Sequence, residues 1–325
     1  MNDNTEPSQH GIQSWQEALF SVSDIDRWID FWATVGDWEV LQRGALDTRW
    51  AGGWGLVASA RGETALIGQP GSSGGYIRLV SIDGATQQMR SSGKVWDTGG
   101  WFDINVRVKD ISTTQRLVQA QGWSALADPV EMNMGTVRVI EWLASGPDGI
   151  VVAFIERVAP ALTGFPEFDR VSRSFNATQI VADEGYCRSW YEDVLGFKVF
   201  IDTPGPGAEG GPNVFGLPCN LIKDIPSHLL LLHPEGLAIG SMEMCSFTNL
   251  EGRDFAATCK LPNFGVASLR YPVKDIEGLI AHLRRFDDRV IWISTPAVRS
   301  FEPFGDKLCF TIAGPNGEWL EFYQA

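Results

Sequence analysis

The sequence predicts an α+β protein made of four copies of one strand–helix–three-strand unit. Three observations carry this. A strand ending in V-x-D recurs four times, each time ahead of a helical stretch. Two long segments repeat the same aromatic spacing after that Asp, and a Gly-Pro-Asp/Asn-Gly turn closes the second and fourth units. Repetition of this kind points to a shared supersecondary unit rather than to one irregular domain.

The first unit opens with Ala18 to Asp24, an alternating apolar run that reads as a half-buried strand. Asp24 is placed to cap the next helix by accepting from free backbone N–H groups. The following segment sets Trp28, Phe31 and Trp32 on one helical face, and Gly36-Asp37-Trp38 turns into the next strand. The third unit repeats this in Ala177 to Asp183, Glu184 to Tyr191 and Leu195-Gly196-Phe197. In both units an aromatic stands eight positions after the Asp (Trp32, Tyr191) and another stands fourteen after it (Trp38, Phe197).

The second and fourth units start at Phe102 to Asp110 and at Ala267 to Asp275, with helices over 111–121 and 276–286. They end in Gly146-Pro147-Asp148-Gly149 and Gly314-Pro315-Asn316-Gly317, strong turn signals, each leading into a last strand. The units fall at about 15–90, 100–157, 174–250 and 264–325. Chain order suggests a flexible tail over 1–14, an N-terminal two-unit domain over 15–157, a linker over 158–173 and a C-terminal two-unit domain over 174–325. The loop from Thr203 to Pro212, rich in Gly and Pro, reads as a flap beside a site.

Composition narrows the function. Apolar residues form 44 % of the 325-residue chain and charged residues 20 %, as in globular domains. A formal net charge of -14 repels phosphate backbones, so nucleic acid is not the expected partner. No run approaches the roughly 18 apolar residues of a membrane span, and the polar start carries no signal-peptide pattern. The five cysteines are odd in number and have no C-x-x-C spacing. They read as small buried hydrophobes in a reducing, cytoplasmic setting. The motifs of phosphate-binding loops, dinucleotide folds, serine hydrolases and zinc proteases do not occur.

Val22-Ser23-Asp24, Trp190 to Phe197 and Gly314 to Glu321 together resemble the vicinal-oxygen-chelate superfamily, the glyoxalase, bleomycin-resistance and extradiol-dioxygenase group. The resemblance spans nearly the whole chain after the tail. It implies that pairs of units curl their sheets into cups around a small-molecule site. It also implies metal ligands seven residues before the V-x-D Asp and on the last strand. The first rule falls on Glu17, Asp103, Asn176 and Ser268. The second falls on Ala153 and Glu321 after their turns, and by place in the strand on Arg78 and Glu243.

A two-histidine, one-carboxylate iron site is missing at these positions, so Fe is disfavoured. What remains is an all-oxygen set of Glu321, Glu243 and Asn176, with Ser268. It suits one hard divalent cation (Mg, Mn or Ca) or no cofactor at all. Without metal, Glu321 and Glu243 in an apolar cup would repel, one keeping its proton, and would serve as acid and base. His233 and His228 bracket Leu229 to Leu232 and face opposite ways, so at most one assists as an acid/base. Trp319 and Tyr191 join Asn176 and Ser268 as substrate-binding candidates, and the loop Trp50 to Trp54 offers two indoles to a ligand. Glu17, Arg78 and Asp103 form a possible N-terminal cup, either a second site or an ion-paired plug.

These residues point first to an enzyme doing lyase- or isomerase-type acid–base chemistry on a hydrophobic or aromatic oxygenated small molecule, free or as a homo-oligomer. Non-catalytic sequestration of such a molecule is the second reading. A ring-cleaving dioxygenase with atypical ligands is the third.

Overall fold

The computed structural model describes residues 10–134, 136–205, 210–286 and 288–325. The first unit comprises β1 (Glu17–Ser21), α1 (Ile25–Gly36), β2 (Glu39–Ala45), α2 (Thr48–Gly53), β3 (Gly62–Gly68) and β4 (Tyr76–Ile82). The second comprises β5 (Asp103–Val108), α3 (Ile111–Ala120), β6 (Ser124–Ala125), β7 (Val130–Met134), β8 (Val137–Ser145) and β9 (Val151–Ala159). The third has β10 (Val171–Ile180), α4 (Glu184–Leu195), β11 (Lys198–Pro204), β12 (Ser227–His233) and β13 (Ser241–Phe247). The fourth has β14 (Gly265–Val273), α5 (Ile276–Leu283), β15 (Ile291–Ser300), β16 (Asp306–Ala313) and β17 (Trp319–Gln324).

The repeated V-x-D device works as its chemistry requires. Asp24, Asp183 and Asp275 accept from the backbone N–H of Arg27, Tyr186 and Gly278 at 3.1, 2.9 and 2.9 Å, and Asp110 accepts from Thr113. Each carboxylate satisfies a donor that the first helical turn leaves unpaired, an effect typically worth about 1 kcal/mol. In every unit the first and last strands pair in parallel: β1 with β4, β5 with β9, β10 with β13, β14 with β17.

The way units combine departs from chain order. The first and fourth units share an eight-stranded sheet through the antiparallel pair β1–β14. The second and third share a nine-stranded sheet through β5–β10. The expected pairing of units within each half of the chain is therefore corrected. Segments 83–102 and 248–264 carry the chain from one sheet to the other and run side by side. They are joined by bridges at Gln88–Phe264 and Thr98–Asp254 and by backbone bonds such as Met89 N–H to Phe264 O (2.8 Å). Residues 160–170, between the second and third units, stay within one sheet.

Helices α1, α3, α4 and α5 lie between the convex faces of the two sheets. One apolar cluster there joins Trp28, Phe31 and Trp32 of α1, Trp190 and Tyr191 of α4 and alternate residues of both sheets, such as Phe20, Ile104, Phe154 and Phe322. Phe31 stacks on Trp123 at 4.0 Å and Trp32 on Trp38 at 4.4 Å, so most of the aromatic run after Asp24 serves this core. The concave faces point away from it, and each carries its own smaller cluster. Alternation along each strand thus sorts every residue to the shared core or to one cup.

Residues 1–9 of the expected tail lie outside the described residues. Residues 10–14 are fastened to the fold, not free. Ile12 is buried and bridges Val273, and Gln13 N–H donates to Pro272 O at 3.0 Å. Within the expected flap, 206–209 are outside the described residues.

Candidate functional site

The first cup, on the sheet of the first and fourth units, holds Glu17, Arg78, Ser268, Arg270, Trp319 and Glu321, all of them buried. Strand register dictates the arrangement. Glu17 stands opposite Arg270 across β1–β14, and Arg270 stands beside Glu321 across β14–β17. Arg78 donates Nε and Nη2 to the two oxygens of Glu17, both at 3.1 Å, and Arg270 Nη1 reaches Glu17 at 3.1 Å. Arg270 Nε donates to Glu321 at 2.5 Å, and Trp54 Nε1 donates to the other Glu321 oxygen at 2.6 Å. Burial pushes the Glu17 carboxyl up, but Arg78 and Arg270 outweigh it, so its pKa lies below the usual range.

A lid closes this cup. Trp50 and Trp54 lie on and just after the short helix α2, not on an open loop, with ring centroids 5.1 Å apart. Trp50 donates to Ser300 O at 2.7 Å and covers the Arg270 guanidinium at 4.4 Å. The space left beside Trp50, Trp54, Thr64 and Arg78 is about 60 Å³, well below the roughly 300 Å³ or more of a small-molecule pocket. Two carboxylates are present at positions implied for metal ligands, but two guanidiniums and an indole saturate them. This donor set does not fit a metal. Glu321 is thus an ion-paired core group and not an acid/base, and Ser268 donates only to Leu269 O at 3.2 Å.

The second cup, on the sheet of the second and third units, has the opposite character. Asp103, Asn105 and Arg107 of β5 face inward beside Val151, Ala153 and Ile155 of β9. Asn176 and Thr178 of β10, Glu243 of β13, and Glu141 and Arg157 of the neighbouring strands β8 and β9 share that face. Thr178 is in register with Asp103 on one side and Glu243 on the other, so the three form one row across adjacent strands. The two carboxyl-bearing Cα atoms are roughly 10 Å apart, twice the inter-strand spacing.

The walls are apolar: Phe102, Phe175, Val214, Phe215, Leu217 and Leu229 pack around this row. Yet Glu141, Glu243, Arg107 and Arg157 are only half-buried, although β13, β8, β5 and β9 all have neighbours on both sides. These four keep some accessible surface, unlike the charged groups of the first cup. Burial raises the Asp103 carboxyl to about 7, partly offset by hydrogen bonds from Thr178. Burial and then Asp103 raise Glu141 to about 7. Burial, Glu141 and Asp103 together hold Glu243 well above the usual carboxylate range. Three mutually repelling carboxyls thus share a poorly solvated space. The Asn176 Oδ1 atom and the Nε atoms of Arg107 and Arg157 are buried there without a hydrogen-bond partner.

The sequence-derived set is therefore divided. Glu243 and Asn176 belong to the second cup and Glu321 and Ser268 to the first, so they cannot share a ligand or a metal. Asp103 separates from Glu17 and Arg78 in the same way. Both errors follow from the exchanged pairing of units. Asp103, Asn176 and Glu243 are the oxygen donors that do meet, but among the described residues no three His, Cys, Asp or Glu side chains converge at metal-holding spacing. No metal step follows from them.

Three further expectations are corrected. His228 is on the convex side, with Nδ1 2.9 Å from Glu184 and Nε2 3.1 Å from Asp202. His233 caps the end of β12: its Nδ1 accepts from Glu235 N–H at 2.8 Å, so Nε2 carries the proton toward Ser14 Oγ at 2.8 Å. Burial lowers its pKa to about 4, which leaves it neutral. Tyr191 lies under the sheets, where its hydroxyl donates to Glu318 and accepts from Gln179 Nε2 at 3.0 Å. Among the described residues no pair of histidines enters either cup. Trp319 faces the first cup, packed in its core.

Sequence reasoning missed Glu141, Arg107, Arg157, Thr178 and Arg270. Arg107 was legible, since it alternates in phase with Asp103 and Asn105 on one strand. Glu141 was not, because nothing local fixes the phase of β8.

A four-unit βαβββ protein with two outward-facing cups and helices between its sheets has the fold of the vicinal-oxygen-chelate superfamily. Glyoxalase I from Zea mays superposes with a TM-score of 0.64 over 96 % of this chain and 92 % of that one, at 12 % identity. A putative dioxygenase from Bacillus subtilis subsp. subtilis str. 168 superposes with a TM-score of 0.56 over 96 % and 85 %, at 14 % identity. No sequence-family profile matches the chain, and no curated protein is similar to it in sequence. Among the described residues no helix is long and apolar enough to cross a membrane.

Proposed function

We propose that the second cup is the working site and that it performs acid–base chemistry on a small, largely apolar, oxygenated molecule. The single observation behind this is the row Asp103–Thr178–Glu243 on a concave face with apolar walls, with Glu141 further along the same face. A group near its pKa at neutral pH serves best as a catalytic acid or base. Asp103, at about 7, is partly ionised and takes a proton from a C–H next to a carbonyl. Glu243, which keeps its proton, donates to the carbonyl oxygen as the enol forms. Asp103 returning its proton to another carbon, as Glu243 recovers the enol O–H proton, completes an isomerisation; Asp103 giving that proton to a departing neighbouring group, as Glu243 recovers the enol proton, completes a lyase reaction. Each step conserves protons between the two carboxyls and the substrate.

The test is deuterium uptake, followed by NMR, into enones and 2-oxo acids incubated with the protein in D₂O. Exchange should be catalysed by the natural chain and fall by roughly a hundredfold or more in D103N and in E243Q. Binding without exchange would leave the sequestering role. Neither binding nor exchange would remove the site.

A further inference from the structure

The acidic row accounts for one end of the second cup but not for the other. Arg107 and Arg157 occupy the far end, on adjacent strands β5 and β9, Arg107 four residues along its strand from Asp103. That is a separation of roughly 13 Å. Neither guanidinium forms a salt bridge among the described residues, and both Nε atoms are buried and unsatisfied. Arg107 lies over the Phe175 ring at 4.4 Å. Burial first and then the nearby Arg157 lower its pKa, opposed only in part by Glu141, to about 10.

The first cup shows what this protein does with buried guanidiniums that have no other task. There Arg78 and Arg270 are fully engaged by Glu17 and Glu321. Two adjacent, repelling, under-bonded arginines are costly to keep unless something anionic completes them. We infer that Arg107 and Arg157 form the anion subsite of the second cup and that its ligand is a small apolar carboxylic acid. Planar guanidinium forks match a carboxylate, with two parallel N–H···O bonds available to each. A monoanion is favoured over a phosphate dianion because Glu141 stands in the same row as Arg107. The ligand then has its carboxylate at the arginine end and its apolar body against Phe175 and Phe215.

This inference rests on the second cup being the site, and the experiment separates the two. Calorimetric titration uses phenylpyruvate and trans-cinnamate against their methyl esters, on the natural chain, R107Q, R157Q and the double variant. The acids should bind roughly tenfold or more tighter than the esters, and the double variant should bring acid and ester to near equality. R107K/R157K should retain part of the preference, which shows that the cup still folds. Esters binding as tightly as acids, or an acid preference that survives in R107Q/R157Q, would overturn the anion subsite while leaving the cup a binding site. Failure of acids and esters alike would overturn both.

Discussion

Glu17 and Arg270 stand directly opposite each other on β1 and β14 and are ion-paired at 3.1 Å, although 253 residues separate them in the chain. That contact ties the first unit to the last. It neutralises the first cup from within, because Arg270 also binds Glu321 and Arg78 also binds Glu17.

Removing the shared cation leaves two buried carboxylates short of a partner. Arg270→Ala should therefore destabilise the protein by about 3–5 kcal/mol, measured by urea unfolding. Ligand binding in the second cup should persist in whatever fraction stays folded. A loss of less than about 1 kcal/mol would show the network to be ornamental.

Stability should fall as pH rises from about 4 to 7. Asp103 and Glu141 titrate near 7 when folded, above their ordinary values of 3.8 and 4.5. Between those limits the folded chain holds protons that the unfolded chain releases, so unfolding becomes easier with rising pH. The drop should be on the order of a few kcal/mol between pH 5 and pH 8, read from urea midpoints. E141Q should flatten the curve, and an unchanged slope in that variant would count against the carboxyl cluster.

E243Q removes one member of a repelling set while keeping its shape. At pH 8 its unfolding midpoint should equal or exceed that of the natural chain, while deuterium exchange falls by roughly a hundredfold or more. Loss of stability together with activity would mark Glu243 as structural.

Asp148, in the turn that closes the second unit, accepts from Trp28 Nε1 at 3.0 Å and from Ser23 N–H at 3.1 Å. It pins helix α1 of one sheet's unit to the other sheet's. Asp148→Ala strands both donors in the core and should cost about 1–3 kcal/mol in thermal or urea unfolding.

His228→Ala should leave binding and exchange unchanged, since the imidazole meets Glu184 and Asp202 on the convex side. Its stability cost should stay within about 1 kcal/mol, as for other partly exposed pairs. A clear loss of activity would return that histidine to the site.

Sequence alone determined the unit. Each V-x-D Asp caps the helix that follows it, since capping needs only three residues of chain. Each apolar alternation folds as a strand, and the aromatics after Asp24 and Asp183 enter the core because helical spacing fixes their face. It also carried Asp103, Asn176 and Glu243 as inward oxygens. Which unit meets which was decided only by tertiary structure. Any first strand offers the same backbone donors and acceptors to any other, so the choice of β14 for β1 and β10 for β5 lies in the paired segments 83–102 and 248–264 and in side-chain matches such as Glu17 with Arg270. Local pattern encodes neither. That choice separated Glu321 from Glu243, closed one cup with guanidinium and indole, and gathered in the other three carboxyls and two arginines that form no ion pair among the described residues.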